Sequence, residues 1–412
     1  MILREGTLTA RAFMALLIII SVHSVQAGPK VDPTTGRLRL LVVGEQNGQN
    51  QYVMSILRSD PRIRLFGVIR AGASAPPLEA RRYVRTIFPR TESRFVGSID
   101  AIKYLDAPPW IFTDRQQLWI RDSIEESGLG FLAVEMGYHS CNIIEACNCP
   151  WDWMKSPIYE AWPIDVVLEK TVKPSVYAEI VEETPVVDLP EFERQPYGGP
   201  AGNLGLVKSR PGSTVHARWK LGKEDAIVST EYGEGRTMAL PTGWDCVSSQ
   251  MVRNWKYFVD FVLNSVYFTS QIPVPDDPEL AHALRSAFTQ YGEQKALMLS
   301  LIDFIDKFGA NTGPLHTEID ELDSVASDAG DFYLSGEYEK SWESIGAAID
   351  GLSGLSEKSA ELRRRSLLWV YITEWIAVSA ASMLSGGILW TLMVKRHYYT
   401  EVESTRLGKG QR

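Results

Sequence analysis

The chain has 412 residues, 45% of them hydrophobic and 23% charged, the balance of an ordinary globular protein with room for one large or two medium domains. Its net charge is −9, and no strong basic run stands outside the flank of one apolar segment near the C-terminus. Nucleic acid is therefore excluded as an expected partner.

Residues 1–27 read as a signal peptide. Arg4 and Arg11 form a basic start, residues 12–22 (AFMALLIIISV) are apolar but too short to span comfortably, and Val25-Gln26-Ala27 offers small residues to a signal peptidase. Cleavage after Ala27 would leave the following domain outside the cytoplasm. The alternative is an uncleaved anchor.

Residues 37–44 (RLRLLVVG) form an apolar run ending in glycine, the pattern of a buried parallel strand. Helical spacing follows over 49–58, a second strand over 63–69, a second helix over 78–88 and a third strand over 98–105. Thr113 with Gln116 makes a capping box for a helix ending near Gly128, and 130–137 (GFLAVEMG) is a fourth strand. Strands alternating with helices of this length predict an open α/β sheet with right-handed crossovers.

Further extended pieces are expected at 160–168 and 176–182, a Pro- and Gly-rich loop at 184–202, and short strands at 203–208, 215–219, 226–231 and 237–241. Gly233-Glu234-Gly235-Arg236 lacks the Lys-Ser/Thr of a phosphate-binding loop and reads as a tight hairpin turn, so no cofactor is expected. A helix is predicted over 250–268. The α/β domain closes at 272, and three prolines in 273–278 make a stiff linker.

Residues 278–365 then read as a helical stalk with breaks at 309–314 and 335–336. The stretch 333–342 resembles the turn between paired helices of tetratricopeptide-type repeats, and a single such turn does not make a solenoid. Residues 366–394 (SLLWVYITEWIAVSAASMLSGGILWTLMV) read as one transmembrane helix. From Ile376 to Val394 no side chain is charged, and about 20 apolar residues cross a bilayer core. Trp369, Tyr371 and Trp375 flank one end; Trp390, Lys395, Arg396, Tyr398 and Tyr399 flank the other. Residues 395–412 are then a cytoplasmic tail. The expected protein is single-pass in the cell membrane, with its N-terminal domain outside. Small residues at Ala377, Ala381 and Ser385 suit helix–helix packing, so self-association or a membrane or extracellular protein partner is expected.

Four cysteines are present: Cys141, Cys147, Cys149 and Cys246. In an exported protein an even number suggests disulfides, with no pairing fixed by spacing. Free thiols remain open, as does a metal set of His139, Cys141, Cys147 and Cys149, although that spacing is not a common zinc motif.

The block 113–137, ending SGLGFLAVEMGY at 138, resembles the nucleophile-elbow region of class I glutamine amidotransferase-like domains. So does the later block 226–268, with YGEGRTMALPTGWD and NWKYFVDFVLNSVYF. The subgroup it is most similar to holds glutamine amidotransferase-like proteins of unassigned activity, related to trehalose-utilisation-type domains. The resemblance covers about 37–270 and implies a flavodoxin-like α/β sandwich. Its amidotransferase members use a cysteine on the elbow, a histidine after a later strand and a nearby carboxylate. Here Met136 stands at the elbow and Gly243-Trp244-Asp245 at the histidine's place, while His216 comes too early. A thioether has no proton to lose, so the glutaminase Cys–His pair is missing. The expectation is a catalytically degenerate domain that binds or interacts, with Met136, Gly137, His139 and Trp244 as candidate ligand contacts. The alternative is a hydrolase of a small carbohydrate or amide that uses Glu135 and Asp245 as an acid–base pair. Trp151, Trp153 and Trp162 suggest either an aromatic ligand surface or a cover for the sheet.

Overall fold

A computed structural model describes residues 30–44, 50–71, 75–105, 107–134, 150–172, 177–196, 203–240 and 251–407. The predicted signal peptide lies outside these residues. In chain order the elements are β1 (Leu38–Gly44), α1 (Asn50–Ser59), β2 (Ile63–Arg70), α2 (Pro77–Ile87), α3 (Glu92–Ser98), β3 (Ala101–Leu105), α4 (Asp114–Ser127), β4 (Gly130–Val134), α5 (Pro150–Met154), β5 (Ile164–Val172), β6 (Ala178–Ile180), β7 (Asn203–Ser209), β8 (Thr214–Trp219), β9 (Asp225–Tyr232), β10 (Gly235–Leu240), α6 (Met251–Asn254), α7 (Phe258–Thr269), α8 (Pro278–Asp306), α9 (Gly313–Ser335) and α10 (Tyr338–Leu407).

Eight strands form one mixed sheet in the order β2-β1-β3-β4-β10-β9-β8-β6, and β5 pairs with β7 in a separate ribbon. The pairings among β2, β1, β3, β4 and β10 are parallel; those from β10 through β9 and β8 to β6 are antiparallel. Successive side chains of a strand point to opposite faces. Leu40 and Val42 of β1 accordingly join one core with Val53, Leu57, Phe258, Phe261 and Val262 of α1 and α7. Leu41 and Val43 join the other with Val84 of α2 and Trp119, Ile120 and Ile124 of α4. The sheet is thus covered on both faces, as expected for near-continuous apolar strands.

The capping box forms as the sequence predicts: Thr113 accepts from the Gln116 amide, Gln116 returns the bond to the Thr113 amide, and Gly128 ends α4 in the left-handed region. Gly233 and Gly235 turn the β9–β10 hairpin where side chains have no room. A Cβ on Gly233, at φ +60°, would meet the Glu125 carbonyl oxygen at 2.1 Å. Two local expectations change. The helix predicted over 250–268 is split into α6 and α7 around Trp255–Tyr257, where Trp255 donates its indole N–H to the Pro190 carbonyl at 2.9 Å. The short α3, capped by Thr91, precedes β3 and is not anticipated from the sequence pattern.

The chain divides into two compact units. One comprises Met1–Thr289 with Gly330–Trp342, the other Gln290–Ala329 with Glu343–Arg412. In the second, Met298, Ile302, Leu315, Ile319 and Leu355 of α8, α9 and α10 make a small apolar core, and Gly351 leaves the space that the Leu322 side chain takes. Further along, α10 exposes Trp369, Trp375, Met383, Leu384, Leu389 and Trp390. This helix is long and apolar enough to cross a membrane, which is compatible with anchoring through one C-terminal helix.

Candidate functional site

The C-terminal ends of the parallel strands are where an open α/β sheet offers a ligand crevice. Here they stand in register: Gly44 beside Leu105, Leu105 beside Val134, Val134 beside Leu240. Gly44 sits so close to its neighbour that a Cβ would lie 1.9 Å from the Leu105 carbonyl oxygen. The candidate acid–base, ligand-contact and cysteine positions follow two of these ends. Glu135, Met136, Gly137, His139, Cys141, Cys147 and Cys149 come after β4, and Trp244, Asp245 and Cys246 after β10. All lie outside the described residues, so neither their geometry nor any disulfide among them is placed. Among the described residues, no group of three His, Cys, Asp or Glu side chains is arranged to hold a metal ion.

The tryptophan question is settled for two of the three. Trp153 and Trp162 are fully buried, with ring centroids 4.7 Å apart, and Tyr104 meets Trp153 edge-on at 4.9 Å. They cover the sheet and are not a ligand surface. The side chain of Trp151 is not described.

His216, on β8, is buried. Its Nδ1 lies 2.8 Å from Thr184 Oγ1 and its Nε2 2.7 Å from Ser229 Oγ. Burial first, and then the Arg236 guanidinium, lowers its pKa from 6.5 to about 4. The folded protein therefore holds it neutral, while an unfolded chain takes up a proton below about pH 6.5. The linkage gives a stability contribution that is complete above pH 6.5 and falls as pH drops toward 4, by about 3 kcal/mol in total. Urea midpoints at pH 7 and pH 4.5 should differ less in a His216→Gln variant than in the parent chain. An unchanged pH slope would show that His216 does not carry the effect.

A second cluster is invisible in the sequence. Asp260 on α7 accepts from Arg285 Nη1 at 2.7 Å and faces His282 Nδ1 at 2.7 Å, both on α8; Arg285 Nη2 also donates to Asn264 at 3.0 Å. Asp60, after α1, accepts the Tyr267 hydroxyl and lies 3.8 Å from Arg285 Nε. Arg62 donates to the carbonyls of Pro273 at 2.9 Å and Tyr333 at 3.2 Å, and to the Tyr338 hydroxyl at 2.7 Å. Burial, and then the Asp60 carboxylate, raises the Tyr333 phenol to about 12, so it remains a protonated donor. Asp60, Arg62, Asp260 and Arg285 are all buried. They bring together the α1–β2 connection, α7, the start of α8 and the first residue of α10. The residues involved are far apart in sequence and ordinary in type, so no local signal marks them.

A groove of about 570 Å³ runs beside α2 and the start of α4, lined by Arg81, Arg85, Trp110, Asp114, Asp152 and Lys155 among others. A neighbouring one of about 820 Å³ is lined by Phe66, Arg85, Phe88, Pro89, Arg90 and Arg94. Both have the size of small-ligand sites. Arg81 rests over the Trp110 ring at 5.8 Å, and Gln117, buried below, donates to the carbonyls of Pro109 and Phe112 at 3.1 Å each.

No family model matches the chain, and no curated protein matches it. Among solved structures, the chain is similar to the cytoplasmic protein STM3548 of Salmonella typhimurium, at 15% identity over 56% of this chain and 99% of that one, with a TM-score of 0.43. The cytoplasmic protein STM1381 of Salmonella typhimurium LT2 matches at 18% identity over 56% of this chain and 99% of that one, with a TM-score of 0.45. The exo-beta-1,4-mannosidase Op5Man5 of Opitutaceae bacterium strain TAV5 matches at 9% identity over 58% of this chain and 37% of that one, with a TM-score of 0.31. At these scores the likenesses assign neither a fold family nor an activity to this chain.

Proposed function

We propose that this is a single-pass membrane protein whose α/β unit, a catalytically degenerate relative of the class I glutamine amidotransferase-like domains, is held outside the cytoplasm as a binding module. The observation that carries the reading is the exposed apolar stretch of α10, long enough to cross a membrane, that follows the α/β unit in the chain. Inside the α/β unit Arg62 donates to Tyr338, the first residue of the helix that later carries the apolar segment. Two further points support the reading. The parallel strand order β2-β1-β3-β4-β10 suits a flavodoxin-like sheet, whose ligand crevice opens where the order reverses, beside β1 and β3. Met136 takes the nucleophile's place and has no proton to lose.

The full chain, purified in detergent, should release no ammonia from L-glutamine. Turnover that vanishes on Glu135→Gln would make it an enzyme instead. Protease added to intact cells should remove the α/β unit and spare a tag placed after Arg412; the opposite protection pattern would overturn the orientation.

A further inference from the structure

The two grooves share one side chain, Arg85, and lie in line along α2. Together they are lined by more basic than acidic side chains, in a chain whose net charge is −9. The larger groove has three arginines and no carboxylate in its lining, over an apolar floor of Phe66, Phe88 and Pro89. Arg85, Arg90 and Arg94 are exposed, and among the described residues none of the three forms an ion pair. Arg85, in the last turn of α2, complements that helix's negative end, which is an ordinary structural duty. Arg94 has no such excuse. It sits in the first turn of α3, where the helix dipole disfavours a cation.

The smaller groove has a different character. Half-buried Trp110, with the Arg81 guanidinium 5.8 Å from its ring centre, stands beside Asp114, Asp152, Thr113 and Gln116, with Lys155 at the edge. An aromatic face flanked by short carboxylate, amide and hydroxyl groups suits a sugar ring and its hydroxyls. The arginines next door suit planar carboxylates or other oxyanions, which they bind through two parallel hydrogen bonds. Contiguous subsites of these two kinds fit a chain of repeating units better than one compact molecule.

We propose that the paired grooves bind an acidic oligosaccharide, with a sugar ring against Trp110 and its anionic groups at Arg85, Arg90 and Arg94. This names a ligand class for the binding module proposed above and rests on that reading.

The test is calorimetric titration of the full detergent-purified chain, at physiological salt, with a hexamer of galacturonic acid. Binding is expected. It should weaken at least about tenfold in the triple variant Arg85→Ala/Arg90→Ala/Arg94→Ala, whose exposed positions leave the fold intact by circular dichroism, and in Trp110→Phe by a smaller factor. A neutral hexamer of galactose should bind at least about tenfold more weakly than the acidic one. The proposal is overturned by no binding of the acidic hexamer, by binding that the triple variant leaves unchanged, or by equal binding of hexaglutamate, which would make the surface a mere charge patch. Equal binding of phosphatidylglycerol vesicles, read by co-sedimentation, would also overturn it in favour of a lipid surface. Titration in detergent is blind to membrane orientation and to glutamine turnover, so a failure here is distinct from a failure of the binding-module reading.

Discussion

Replacing Arg285 with methionine should cost the α/β unit about 3–5 kcal/mol, the usual penalty for removing one partner of a buried ion cluster. Arg285 is 3% exposed and stands between two carboxylates that are themselves buried, Asp260 at 2.7 Å and Asp60 at 3.8 Å. Without the guanidinium, Asp260 keeps its contact with His282, and Asp60 keeps the Tyr267 and Tyr333 hydroxyls, the Arg62 amide and the attraction of the Arg62 charge. Both carboxylates are buried, so each loses its strongest charge partner without gaining water in exchange. The measurement is a urea midpoint at pH 7, together with amide exchange of α7 and the first turns of α8. Combining Arg285→Met with Asp260→Asn should restore part of the loss, because the orphaned charge is then gone. A single-variant loss under about 1 kcal/mol would show that the cluster is more hydrated than its burial implies.

Stopping the chain at Arg365 should release it from membranes completely. The residues beyond that point include the 366–394 segment, whose large apolar side chains the structure leaves exposed, among them Trp375, Met383, Leu384 and Trp390 at 69–77%. Such a surface is sustainable only in lipid or against other helices. After a carbonate wash, the full chain should remain in the membrane pellet and the shortened chain in the supernatant. The small core of Met298, Ile302, Leu315, Ile319 and Leu355 lies before the stop, so the shortened chain keeps it. Release of the full chain by carbonate would exclude a spanning helix.

Much of the α/β unit was legible in its sequence because its signals are local. The run LRLLVVG gives β1, Thr113 with Gln116 starts α4, Gly128 ends it, and Gly233 with Gly235 turns the hairpin. The split between α6 and α7 escaped because Trp255 answers to Pro190, a tertiary partner, over an otherwise unbroken apolar period. Asp60, Arg62, Asp260 and Arg285 escaped for the same reason: a charged residue shows its burial only once its partner is placed. The grooves beside α2 combine arginines from two helices and the loop between them with Trp110 from another connection, a juxtaposition that spacing along the chain does not encode. The candidates at Glu135, His139, Trp244 and Asp245 come from motif position and lie outside the described residues.

The parallel pairing of Val134 with Leu240 has a consequence for how the molecule is made. β4 and β10 are neighbours in space, yet β5 to β9 are all synthesised between them. Until β10 arrives, β4 is a bare edge with an apolar face on either side, the kind of template that pairs with the wrong chain. Long-range parallel pairing is also the slow step of a fold, since the entropy of closing the loop is lost before the contact forms. The β2-β1-β3-β4 half therefore waits on the last strand, and the interval between their appearance is when the nascent chain most needs protection from its own kind.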